Sequence, residues 1–170
     1  MSRFKNRLMA KVLTRFQWLF ERAVAKPEVY LDVGAIPWVP MTKRLSECRV
    51  AIVTTAGVHL KGEPPFDMVD KDGDPSFRAI PLSAPNGALM ITHDYYDHAD
   101  AEKDVNIVFP IDRLKEMAKS GLIGEVALVN YSFMGHIDGR HIDTLVRKSA
   151  PQVAGLLKSA GVDAVLLTPG

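Results

Sequence analysis

The chain has 170 residues, of which 47% are hydrophobic and 24% charged, and its formal net charge is +1 at pH 7. This composition is typical of one globular domain, and it excludes wholesale disorder, a fibrous repeat and a charge field that would attract nucleic acid. No apolar run reaches the roughly 18 residues that a transmembrane helix needs, and the single Cys48 excludes a disulfide framework and a multi-cysteine zinc site.

The first 30 residues form a segment of their own. Residues 1–28 carry seven basic and two acidic side chains, and their apolar residues recur mostly every three or four positions. This spacing predicts an amphipathic helix over 1–30. We interpret it as a surface helix docked on its own domain or on a partner subunit. A membrane-surface helix and a targeting peptide are the alternatives, although charged residues break the apolar run that a secretory signal requires.

Residues 31–170 are predicted to form one α/β domain. After an extended, proline-containing lead-in, the apolar β-branched runs predict strands over 49–55, 88–93, 105–109, 126–131 and 162–168. Helices are predicted over 113–120 and 149–160, and the Gly-, Pro- and Asp-rich segment 61–87 is predicted to be a long loop. Strands that alternate with helices favour a three-layer, Rossmann-like fold with a mostly parallel sheet.

Ligands of such sheets gather beyond the carboxyl ends of the strands, and three histidines follow predicted strands. We expect the catalytic residues to be His59, His93, Asp97, His98 and His136. Substrate contacts are expected from Thr55, Arg78 and Tyr131. The imidazoles would donate protons to a leaving group, because histidine titrates near neutral pH, and Arg78 would position a carboxylate.

The segment 93–104 contains the densest cluster of histidine and aspartate residues in the chain. Its histidines and aspartates could hold a divalent metal, form a proton-transfer site, or bond only to one another in a polar loop. The acidic loop 65–78 does not fit a calcium-binding EF-hand, because Gly73 stands at the fourth position counted from Asp70 rather than at the sixth. A glycine-rich nucleotide loop and a serine nucleophile elbow are also missing, so neither chemistry is predicted.

Taken together and in order, several strings resemble the selenoprotein B family of glycine, sarcosine, betaine and D-proline reductases. They are residues 46–59, 65–67, 73–78, 93–104, 106–114 and 131–135. The likeness extends from about residue 37 to the end of the chain and is strongest toward the D-proline reductase branch.

This resemblance implies an oxidoreductase component that reductively cleaves a C–N bond in a small amine or amino acid. A selenocysteine or cysteine of this component would attack the α-carbon and expel the nitrogen, extending the chemistry of an activated thiolate. The family also implies a partner subunit whose pyruvoyl group activates the amine, and a dithiol reductant. A cytoplasmic location is expected, no cofactor or metal is expected within the chain itself, and a homo-oligomer is compatible with the sequence.

The family places its redox residue shortly after the strand that matches 162–168, and this chain ends at Gly170. We expect a chain truncated there, for example at a UGA codon read as selenocysteine; the alternative is a short relative that has lost the chemistry. In both cases we expect no reductase turnover from these 170 residues alone. Two other functions are left open by the residues: a metal-dependent protein using 93–104, and a non-catalytic interaction domain that docks through its N-terminal helix.

Overall fold

A computed structural model of the chain describes residues 3–15 and 39–170. The first helix, α1, spans Arg3–Arg15. The remainder of the helix predicted over 1–30 lies outside the described residues, as does the predicted domain boundary near residue 30.

The rest of the described chain contains seven strands and three further helices. The strands are β1 (Arg49–Thr54), β2 (Val58–Leu60), β3 (Phe77–Pro81), β4 (Leu89–Ile91), β5 (Glu125–Val126), β6 (Val129–Phe133) and β7 (Ala164–Thr168). The helices are α2 (Ile111–Lys119), α3 (His141–Thr144) and α4 (Ala150–Ser159), and a π-helical segment over Leu145–Ser149 joins the last two. Short 3-10 turns lie at Leu45–Glu47, Asn86–Ala88 and Val105–Ile107.

Strand β1 lies at the centre of the main sheet. It pairs in parallel with β7 on one edge, while β5 and β6 share its other edge in succession, both also parallel. Strand β3 runs antiparallel along the far side of β6, and β2 and β4 form a separate two-stranded antiparallel sheet. The predicted mixed α/β architecture with a mostly parallel sheet is therefore confirmed, and the sheet is curled; the Rossmann-like arrangement stays a prediction.

Helices cover both faces of β1. Val50 and Ile52 pack on one face with Ile111 and Leu114 of α2. Ala51 packs on the other face with side chains of α4. A central strand that is apolar on both faces is what a parallel sheet between two helical layers requires.

The side chain of Asn130 lies where the pairing partner of β1 changes from β5 to β6. Its Oδ1 accepts a hydrogen bond from the Ile52 N–H at 2.8 Å, and its Nδ2 donates to the Ala127 carbonyl at 3.2 Å. Asn130 is completely buried. Since a buried backbone N–H without a partner is costly, this amide replaces the strand hydrogen bond that is missing between the two short pairings.

The structure corrects four of the sequence predictions of secondary structure, in kind or in extent. The strand predicted over 105–109 is a 3-10 turn followed by irregular chain, and its Asp104 caps that turn by accepting from the Asn106 N–H. The loop predicted over 61–87 contains β3. The strand predicted over 126–131 is split between β5 and β6. The strand predicted over 88–93 shortens to β4 and belongs to the small antiparallel sheet.

Candidate functional site

The turn after β1 ties three strands together at the carboxyl end of the main sheet. Gly57 has φ of 71°, and a Cβ at this position would lie 2.4 Å from the Thr92 carbonyl oxygen. The Gly57 N–H donates to the Phe133 carbonyl, and the Gly57 carbonyl accepts from the Thr92 N–H, both at 2.9 Å. Only glycine permits this close crossing, which brings the segment after β4 to the ends of β1 and β6.

Gly135, just after β6, forms a second close crossing. Its φ is 88°, and a Cβ here would lie 2.3 Å from the Thr55 carbonyl oxygen and 3.2 Å from His93 Nε2. The backbone of Gly135 therefore sits between Thr55 and the imidazole of His93. We name the group Thr55, His93, Tyr95, Gly135 and His136 the carboxyl-end site.

His93 is held in one orientation and one tautomer. Its Nδ1 accepts a hydrogen bond from the Tyr95 N–H at 3.0 Å, so the neutral ring carries its proton on Nε2, the atom beside Gly135. The ring is 5% exposed. Burial first, and then the neighbouring His136 and His98, lower the pKa of His93 to about 4. At neutral pH His93 is thus an uncharged hydrogen-bond donor at this edge.

Aromatic rings surround His93. Tyr95 stacks on His136 with ring centroids 3.9 Å apart, and the His136 Nε2 donates to the Lys71 carbonyl at 3.0 Å. Tyr96 lies 4.7 Å from the His93 ring and donates its hydroxyl to the Ala56 carbonyl at 3.0 Å. Burial raises the pKa of the Tyr96 hydroxyl, which stays protonated. These contacts fix the imidazole and keep water from most of it.

His98 is the second buried imidazole of the segment. Its Nε2 donates to the His93 carbonyl at 2.9 Å, and its Nδ1 lies 2.8 Å from a carboxylate oxygen of Glu102. Within the described residues this buried Nδ1 makes no hydrogen bond, because its short contact with the Glu102 carboxylate is not aligned as one.

A cavity of about 400 Å³ opens beside His98. Its walls come from α1 and from the segment after β4: Leu8, Lys11, Tyr96, Asp97, His98, Ala99 and Glu102. The cavity combines one ammonium group, two carboxylates, an imidazole and an aromatic ring. Such a set of groups fits a small molecule that carries both an amine and a carboxylate.

The structure places the other predicted site residues in different roles. His59 is 1% exposed; its Nδ1 donates to the Leu60 carbonyl, so its Nε2 accepts from the Thr92 hydroxyl, each at 2.8 Å. Tyr131 lies within β6 and packs edge-on against Phe77. Both side chains are part of the core rather than of the carboxyl-end site.

Arg78 is committed to the loop that precedes β3. Its guanidinium lies 4.3 Å over the Phe66 ring and donates to the carbonyls of Pro64, Pro65 and Phe77 and to the Ser76 hydroxyl. Asp74 lies 3.9 Å away. With these partners the guanidinium orders its own loop, and few of its donors remain for a substrate carboxylate.

Sequence reasoning missed Tyr95 and Gly135 as parts of the carboxyl-end site, and Lys11 and Glu102 as parts of the cavity wall. Glu102 had a signal, since it stands four residues after His98, and a Glu at that spacing can face the imidazole on one side of a helical turn. The positions of Tyr95 and Gly135 depend on the two glycine crossings, for which a single sequence offers no direct signal.

Metal binding by residues 93–104 receives no support from the geometry. Within residues 3–15 and 39–170, no three His, Cys, Asp or Glu side chains converge on a point that could hold a metal ion. The Nδ1 of His93 and the Nε2 of His98 are engaged by backbone groups.

Within residues 3–15 and 39–170, no helix has the length and apolar character to span a membrane.

Comparison with protein families gives a match over residues 28–170 to the glycine/sarcosine/betaine reductase selenoprotein B family. Among curated proteins, the chain is 42% identical over 144 residues to D-proline reductase subunit gamma of Acetoanaerobium sticklandii. That alignment covers 84% of this chain and 57% of the subunit.

More distant relatives are components of related complexes. Glycine reductase complex component B subunit gamma of Carboxydothermus hydrogenoformans is 31% identical over 137 residues, covering 78% of this chain and 30% of that protein. Betaine reductase complex component B subunit beta of Peptoclostridium acidaminophilum is 30% identical over 133 residues, covering 74% and 29%. The chain thus spans from about a third to just over half of these relatives' lengths. No solved structure gives a significant match.

Proposed function

Since this chain belongs to the glycine/sarcosine/betaine reductase selenoprotein B family, we propose that it is a component of a reductase complex that cleaves the Cα–N bond of a small amino acid. The observation that carries the proposal is the 42% identity to D-proline reductase subunit gamma over 84% of the chain. We take D-proline as the substrate, and other reductase subunits, one of them bearing a pyruvoyl group, as partners.

The reaction is a two-electron reduction. In D-proline, breaking the Cα–N bond opens the ring, and adding two electrons and two protons gives 5-aminopentanoate. A dithiol supplies the electrons and is oxidised to a disulfide. A selenocysteine or cysteine would supply the nucleophile that displaces the nitrogen, because an ionised selenol or thiol attacks carbon readily and is then released by reduction.

We propose that this nucleophile comes from outside the 170 residues. The sole cysteine, Cys48, is fully buried at the amino end of β1, where its Sγ contacts the Arg44 carbonyl. Gly170 follows β7 at the opposite end, and its N–H donates to the Thr55 hydroxyl at 3.3 Å. A redox residue carried next to Gly170 would therefore enter the carboxyl-end site.

The roles proposed for the histidines differ from one another. A neutral His93 cannot give up its last proton to an amine, so we propose that it orients a reacting group through its Nε2–H. The proton for the departing nitrogen would come from the His98–Glu102 pair in the cavity wall. In the cavity, Lys11 would hold the substrate carboxylate and Asp97 its amine.

Binding of D-proline to the 170-residue chain tests the proposal. By isothermal titration calorimetry we expect D-proline to bind more tightly than L-proline, glycine or betaine. The substitution Asp97→Asn should weaken D-proline binding by about tenfold, because it removes a charge-assisted contact to the amine. Asp100→Asn is the matched control, because Asp100 is exposed and pairs with Lys103.

Two results would contradict this proposal. If Asp97→Asn and Asp100→Asn affect D-proline binding equally, the cavity is not the substrate-binding site. Formation of 5-aminopentanoate from D-proline and dithiothreitol by the chain alone, followed by mass spectrometry, would show that the nucleophile lies within these residues.

A further inference from the structure

Strand β7 has one edge without a partner. It pairs with β1 in parallel along its whole length, and in the part of the chain that the structure describes no strand lies on its other side. The Thr168 carbonyl accepts from the Thr55 N–H, which sets the direction of every backbone group along the strand. Because these groups alternate in direction, the N–H and C=O of Val165 and Leu167 point away from β1 and toward the open edge.

The side chains of β7 are apolar on both faces. The register places Val165 and Leu167 beside Ala51 and Val53, on the face that α4 covers, and Leu166 beside Ile52, on the face of α2. Val165 is nevertheless 40% exposed, Leu166 is 39% exposed and Leu167 is 72% exposed. Edge strands in water are usually short, charged or interrupted by proline, whereas β7 has the composition of an interior strand.

These two features limit what can cover the edge. A single peptide strand would satisfy the backbone but would leave the two apolar faces open. A partner that also brings helices would satisfy both, and the relatives contain additional polypeptide, since the alignment covers 57% of D-proline reductase subunit gamma. The three strands that pair with β1 are all parallel to it, so a parallel strand continues the existing pattern.

We propose that the edge of β7 is a docking surface for a further β strand with flanking helices, supplied by polypeptide equivalent to the part of D-proline reductase subunit gamma that this chain does not match. The added strand accepts from and donates to the outward groups of Val165 and Leu167, and its helices bury the side chains of β7. The surface is defined by pairing and burial alone, so it is independent of the reaction proposed above.

Co-expression tests the surface. The 170-residue chain is produced with the part of the Acetoanaerobium sticklandii subunit that it does not match, and the product is analysed by light scattering and hydrogen exchange. We expect a one-to-one complex in which the amides of Val165 and Leu167 exchange at least about tenfold more slowly than in the chain alone. The Leu166 amide, which already faces β1, should change little.

A matched pair of variants separates this edge from general exposure of leucine. Leu167→Lys places a charge on the docking surface and should abolish the complex, whereas Leu128→Lys should not, because Leu128 is 79% exposed on the segment between β5 and β6. The proposal is overturned if no complex forms or if Leu128→Lys acts like Leu167→Lys. It is also overturned if the Val165 and Leu167 amides are already protected in the chain alone, whether by a second copy or by another segment of the chain.

Discussion

His93 shows how one buried side chain links the stability of this protein to pH. In the folded chain its pKa is about 4, against 6.5 for an ordinary histidine, and burial is the largest cause. Between these two values the unfolded chain binds a proton at this residue and the folded chain does not. Folding stability from His93 is therefore complete above pH 6.5 and falls as the pH is lowered toward 4.

We expect the substitution His93→Asn to remove this part of the pH dependence. Asparagine offers an oxygen that can replace Nδ1 as the acceptor for the Tyr95 N–H, but it does not titrate. Denaturant unfolding followed by circular dichroism should show the native chain losing about 3 kcal/mol more than the variant between pH 6.5 and pH 4. Parallel pH profiles for the two proteins would contradict the assignment.

His59 is a buried histidine like His93, but it has another role. Its two nitrogens form hydrogen bonds with Leu60 and Thr92, so the side chain links β2 to the residue that follows β4. Position after a strand therefore does not by itself identify a site histidine. What separates His93 from His59 is that Nε2 of His93 lies against a glycine backbone at the carboxyl-end site.

At the scale of elements, Asp70 joins the loop before β3 to the beginning of α3. Its carboxylate accepts from Arg140 and, at 3.0 Å, from His141 Nε2. Next to it, the Asp138 N–H donates to the Asp72 carbonyl at 2.8 Å, and Gly73 forms a β-bridge with Ile137. These contacts hold the two loops side by side, next to His136.

Substituting Asp70→Asn should loosen this junction without unfolding the sheet. The hydrogen bond from His141, followed by those from the Asp72 N–H and Arg140, holds the pKa of Asp70 well below its ordinary value of 3.8. The junction is therefore complete at neutral pH and weakens as the pH falls below that value. Hydrogen exchange at the Asp138 amide should become faster in the variant.

Asp143→Asn is the control for this experiment. Asp143 pairs with Arg147 within the same helical run and does not reach the loop before β3. Equal exchange at the Asp138 amide in both variants and in the native chain would show that Asp70 does not join the two loops.

The division of one edge of β1 between β5 and β6 depends on Asn130. Replacing it with leucine leaves the Ile52 N–H and the Ala127 carbonyl buried without partners. We expect Asn130→Leu to lower the free energy of unfolding by about 2–4 kcal/mol, measured by chemical denaturation. Asn86→Leu, at an exposed asparagine, should cost about 1 kcal/mol or less; equal losses in the two variants would contradict the role of Asn130.

Considered as a whole molecule, the fold was predictable where the sequence pattern and the tertiary structure agree. β1 is a β-branched run closed by Ala56 and Gly57, and it forms a strand as predicted. Gly121, with φ of 75°, follows α2 where the helix predicted over 113–120 was expected to end. The run 105–109 misled because Val108 and Phe109 are buried for packing rather than for strand pairing.

The candidate site was predictable only in part for the same reason. The position of His93 near the ends of β1 and β6 followed from strand order, even though β4 belongs to the other sheet. The cavity depends on where α1 lies against the segment after β4, a long-range contact that local periodicity does not encode. The resemblance predicted the family to which the chain belongs, while the arrangement of the imidazoles could be learned only from the structure.

Asn130 has a consequence for how this sheet can change over evolutionary time. An ordinary strand pairing is made by backbone groups, so it tolerates almost any replacement that the surroundings can accommodate. Here the continuity of the sheet depends on one residue, because a side-chain amide makes hydrogen bonds that a backbone group would otherwise make. A library of all single substitutions should therefore find this position intolerant even of residues that match its volume, a heritable constraint that neither hydrophobicity nor size would reveal.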